Sequence, residues 1–175
     1  MTVMEPVVHQ ILRGAIRVLF FLSSSHKIGD FAGFKRTLAA YGVVPTGLEP
    51  PVAVVVIVAE AAVTLFDQVA LGGVLLVLYA ALIAANLLRG RDRIDCGCVG
   101  VAGRDGLSWW LVGRNLVCAA GAFAVPFPTP APLITLPWMA QLTVFGGILT
   151  LAAMYVATDH LIANATTIRR LREAA

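Results

Sequence analysis

The chain is 175 residues long, 59% hydrophobic and only 13% charged, with a mean hydropathy of +0.86. Soluble domains carry about 25% charged residues, so this composition excludes one and defines a membrane protein. Its formal charge is +3 and its pI near 9.0, but the basic residues stand in loops beside apolar runs, the pattern of a membrane orientation signal and not of a nucleic-acid-binding surface.

The length suits one all-α integral membrane domain over 1–175, a helical bundle of four to five transmembrane helices of about 20 residues each. The first span is expected from about Val7 to Ser24. It holds Arg13 and Arg17 one helical turn apart, with His9 a turn before them, so the three share a face. Charges inside a span normally look into the bundle or a wet cavity. With those arginines inside the run and no small-residue cleavage site after it, no cleavable signal peptide is expected.

Lys27 follows the first span. Phe31, Phe34, Leu38 and Tyr41 then recur at helical spacing while Asp30, Lys35 and Arg36 lie off that stripe, which predicts a short amphipathic helix in the interface. Gly42, Pro45, Pro50 and Pro51 mark a bent connection. A second span, about Val52 to Phe66, carries Glu60 well inside it, where a carboxyl must be neutral or paired. Of the cations within spans, Arg114 is the expected partner. Asp67 is the expected N-cap of a third span, Val69 to about Leu88, with Asn86 near its exit.

The polar loop after Arg89 contains Cys96-Gly97-Cys98. Thiols this close can cycle between dithiol and disulfide, hold a soft metal with help from elsewhere, or be two small residues without chemistry. A disulfide across one residue needs a tight, strained ring, and Gly97 is the residue type that can bend enough. Strained disulfides are readily reduced, which suits exchange. Arg89, Arg91 and Arg93 favour the thiolate, whereas Asp92 and Asp95 oppose it. Three cysteines allow at most one internal pair, and Cys118 in its apolar setting is the one expected to stay inert.

Trp109 and Trp110 open a fourth span to about Val125, containing Arg114, Asn115 and Cys118. A proline-rich connection leads to a fifth, Trp138 to Ala157, closed by Asp159 and His160 and followed by a polar tail helix with Arg169, Arg170 and Arg172. Five spans put ten of the thirteen Lys and Arg residues at one end of the bundle, the other three lying within spans. The positive-inside rule makes that end cytoplasmic, with the N-terminus outside and the C-terminus inside the cell membrane.

Taken together, Lys27, Tyr41, Pro45, Glu60, Asn86, Arg89-Gly90, Asp95-Cys96-Gly97-Cys98-Val99-Gly100, Trp110 and Arg114-Asn115 resemble the MauE family of methylamine utilisation, and more loosely the DoxX-like membrane families. The resemblance implies maturation of an exported, disulfide-rich client such as the small subunit of methylamine dehydrogenase, beside a thioredoxin-like partner. On that reading the protein is a membrane thiol–disulfide oxidoreductase. Cys96 and Cys98 exchange, while Gly97, Glu60, Asn86, Arg89 and Arg114 support them. An exported client conflicts with thiols at the cytoplasmic end. A relay through the bundle resolves the conflict, and so does a loop folded back into it. No cofactor is required, and a quinone remains open as electron partner. Two other classes stay open: a copper transporter or chaperone using both thiolates with His26 and His160, and a non-redox assembly scaffold.

Overall fold

A computed structural model describes residues 4–94, 106–125 and 133–173. Among these the chain is all helical: α1 (Met4–Gly29), α2 (Phe31–Tyr41), α3 (Glu49–Leu65), α4 (Val69–Leu88), α5 (Trp109–Phe123), a short 3-10 turn (Leu133–Thr135) and α6 (Trp138–Glu173). The protein is an all-α membrane protein. Among the described residues, three helices are long and apolar enough to cross a bilayer: Pro6–Gly29 in α1, α4, and Trp138–Ile162 in α6. With 17 and 15 residues, α3 and α5 rise only about 25 and about 22 Å, short of a hydrocarbon layer of roughly 30 Å.

The central helix is α1, which touches each of the other five, packing most closely on α3 and α6. Small residues permit this. A Cβ at Gly147 of α6 would stand 2.6 Å from Ile11, and Gly14 of α1 lies in the same crossing against Ile148. The main apolar core joins Ile16 and Phe20 of α1 to Val63, Leu75, Leu76 and Ala119. Large apolar side chains such as Val55, Leu65, Val117 and Leu149 face outward, as a lipid-solvated surface requires.

Two expected boundaries move. The first helix runs on to Gly29, which draws Lys27 into a helix instead of a loop. The last helix is continuous from Trp138 to Glu173, so span and tail are one element. Asp67 is not the N-cap of α4. It has φ +57° and lies 3.2 Å from Arg13, while Gln68 occupies the cap position. The amphipathic helix forms as expected, with Asp30 accepting from the Gly33 N–H at 2.8 Å and Gly42 closing it in the left-handed conformation. Its Phe34 and Tyr41 are buried and Arg36 is exposed.

The α4–α5 pair is the most extensively packed in the fold. Its connection is pinned at the base. The Leu107 N–H donates to the Asp92 carbonyl at 2.7 Å, and Gly106 takes φ +112°, which L-residues rarely adopt. Ile94 and Leu107 on either side of that bond pack with Tyr41, Ile83 and Leu111.

Candidate functional site

Glu60 sits in an apolar helix and is fully buried. An ionised carboxylate there needs both a counter-charge and hydrogen bonds, and four side chains supply them. The Lys27 Nζ donates at 2.6 Å, the Tyr79 hydroxyl at 2.7 Å, and the Ser23 and Ser24 hydroxyls at 3.0 and 3.5 Å. Lys27 also donates to Ser23 at 2.6 Å, one turn away on α1. Its ammonium lies 5.2 and 5.5 Å from the Phe34 and Tyr79 ring centres, a favourable place for a desolvated cation.

Arg114 is therefore not the partner of Glu60. It pairs with Asp159 of α6 at 2.7 Å and stacks on the Tyr155 ring at 4.9 Å. Both members of this second pair are buried. Between the two pairs lies a cavity of about 20 Å³ lined by Ser23, Tyr79, Arg114, Asn115 and Tyr155, room for about one water molecule. The Asn115 Nδ2 has no partner among the described residues. Glu60 and Arg114 thus belong to neighbouring polar clusters across one small gap.

Asn86 is fully buried where α4 ends. Its Nδ2 donates to the Leu82 carbonyl at 3.0 Å, and its own backbone carbonyl accepts from the Arg89 and Arg91 N–H groups. The Asn86 Oδ1 has no partner among the described residues. Arg89 is exposed at the C-cap of α4, away from both ion pairs. Cys96, Gly97 and Cys98 lie outside the described residues; what the structure describes is the base that holds their segment. Cys118 is half-buried against the apolar core. His26 and His160 are exposed, and among the described residues no three His, Cys, Asp or Glu side chains stand together.

At the opposite end, Arg13 is buried and Arg17 exposed. The Arg17 Nε donates to the Thr64 carbonyl at 3.0 Å. The Arg13–Asp67 approach is a charge contact and not an aligned hydrogen bond, since neither facing atom meets the geometry of one. The face shared by His9, Arg13 and Arg17 is therefore split between the interior and the rim.

Sequence reasoning missed Lys27, Tyr79 and Asp159 as functional partners. A signal existed for the first: Ser23 and Lys27 are four residues apart, the spacing of one face if the helix simply continues.

An all-α membrane bundle with two buried ion pairs, and with a hydrogen-bonded base formed by the residues that flank its Cys-Gly-Cys segment, defines the class. Residues 5–128 match the family model described as methylamine utilisation protein MauE, and the chain belongs to that family. It is 34% identical over 135 residues to methylamine utilization protein MauE of Paracoccus denitrificans, covering 73% of each chain. To the protein of the same name from Methylorubrum extorquens it is 30% identical over 162 residues, covering 88% of this chain and 87% of that one. No solved structure matches.

Proposed function

We propose that this chain is a thiol–disulfide redox and maturation factor of the cell membrane, with Cys96 and Cys98 as the exchanging pair. Its client is an exported, disulfide-rich protein, and the names of its relatives point to methylamine utilisation, where the methylamine dehydrogenase small subunit is such a client. A thioredoxin-like protein mediates the exchange. The observation that supports this reading is the pinned base: the Asp92–Leu107 bond and Gly106, in a backbone conformation that glycine adopts readily and other residues rarely, tie together the residues that flank the cysteine segment. An exchange site needs a presented thiol pair on a rigid mount.

In the oxidising direction, a partner thiolate attacks the Cys96–Cys98 disulfide, forming a mixed disulfide and releasing one thiolate. The partner's second thiolate then displaces the other cysteine. The partner leaves as a disulfide and Cys96/Cys98 remain as a dithiol, so two electrons have moved.

The charge asymmetry supports N-out, C-in. With Lys27 inside the bundle, nine of the ten cations at that end remain to orient it, against Arg13 and Arg17 near the other end.

Single Cys96→Ser and Cys98→Ser variants test the exchange. One of them, lacking the resolving thiol, is expected to accumulate a covalent partner adduct on non-reducing gels, and Cys118→Ser is not. Absence of any adduct in either variant contradicts the redox reading.

A further inference from the structure

The dithiol left after exchange must be reoxidised, and the bundle carries a cavity suited to the oxidant. Between α2, α3 and α4 lies a cavity of about 140 Å³, close in size to the ~150 Å³ apolar cavity that accommodates one benzene ring. Phe34, Tyr41, Val56, Tyr79 and Ile83 wall it, and Lys27 is its charged member. Lys27 has three N–H donors, of which Ser23 and Glu60 take two. The third is used by neither, and the ammonium lies beside the Phe34 and Tyr79 rings that wall the cavity.

An acyl chain would leave that donor unmatched. A ring bearing a carbonyl oxygen would accept from it, and a polarised carbonyl accepts electrons more readily. Two of the walls, Tyr41 and Ile83, also belong to the cluster that holds Ile94 and Leu107 at the base of the cysteine segment. The cavity is thus one layer of side chains from the loop anchors.

We infer that this cavity binds the ring of a lipid-soluble quinone, with Lys27 donating to a carbonyl oxygen, and that this quinone reoxidises Cys96 and Cys98. The inference rests on the redox reading of those cysteines. In the step, two S–H bonds are lost and one S–S bond forms. The two electrons and two protons convert the quinone's two carbonyls to hydroxyls, giving the hydroquinone.

The test uses purified full-length protein in detergent with decylubiquinone as probe. Binding is measured by equilibrium dialysis, and thiol state by alkylation. Wild type and Cys96→Ser/Cys98→Ser are expected to bind the probe equally. Val56→Phe, which fills the cavity while leaving Lys27 and Glu60 in place, should weaken binding at least tenfold. Leu12→Phe, in the separate apolar cavity between α1, α5 and α6, should change it less than twofold. Reduced wild type should yield one hydroquinone per Cys96–Cys98 disulfide. Equal binding by Val56→Phe and wild type overturns the inference, as does displacement by decanol as effective as by the quinone. Oxidation of Cys96 and Cys98 by a small disulfide but not by the quinone also overturns it, and leaves the exchange reading intact. Quinone binding with cysteines that neither oxidant closes supports the cavity's ligand and overturns the exchange reading.

Discussion

Lys27→Met is expected to destabilise the bundle by about 3–5 kcal/mol, the range for removing one member of a buried ion pair. The loss comes less from the attraction itself than from what remains: a fully buried Glu60 carboxylate without a counter-charge. Ser23, Ser24 and Tyr79 would still donate to it, which places the effect toward the lower end of the range. Lys27→Met/Glu60→Leu removes both charges and should recover most of the loss, although the Tyr79 hydroxyl then lacks this acceptor. Denaturant titration in mild detergent, following helix content, measures both variants against wild type. A Lys27→Met midpoint equal to wild type would mean that Lys27 is not in the interior.

The second large effect is expected at Arg114 and Asp159. Only 6% of the apolar window of α6 is buried, so this helix leans on α1 and on the Asp159 contact to α5. Asp159→Ala would remove the Asp159 counter-charge from the buried Arg114 guanidinium and cost about 3–5 kcal/mol. Arg114→Leu/Asp159→Ala should restore much of it. A double-mutant cycle should give a coupling above about 1 kcal/mol for Arg114 with Asp159, and a smaller one for Arg114 with Glu60, which lie in different ion pairs. The reverse order would return Glu60 to Arg114.

That pairing is also where reading the sequence ended. The limits of α4 and the starts of α5 and α6 follow from hydropathy, because apolar runs and their aromatic borders are local properties. The inward stripe of α2 follows from its spacing for the same reason. The reach of α1 does not. A hydropathy boundary falls at the polar run from Ser23 to Lys27, yet the backbone continues to Gly29. Once those residues are helical, their polar groups turn inward to Glu60, 33 residues away in sequence. Such a contact is fixed by the crossing of α1 and α3 and has no local signature. Asp159 likewise reads as a helix-end residue until the last helix proves continuous and carries it beside Arg114.

The cysteine pair was found by composition alone, as two thiols around one glycine in a polar loop. The structure adds the mount: an anchored base, with Asn86 at the end of α4 holding the Arg89 and Arg91 amides. It also separates Cys118, which packs against the apolar core, where a thiolate is poorly solvated and exchange slow.

The most direct measurement is therefore the thiol state of each cysteine in native membranes. Free thiols are first blocked, the membranes are reduced, and newly exposed thiols are labelled with a mass tag, in wild type and in the three single Cys→Ser variants. Two tags are expected on wild type and on Cys118→Ser, and at most one on Cys96→Ser or Cys98→Ser, the single tag marking the cysteine that reduction releases from a trapped partner. Three untagged cysteines under every oxidising condition, or a tag that disappears only with Cys118, would contradict the account.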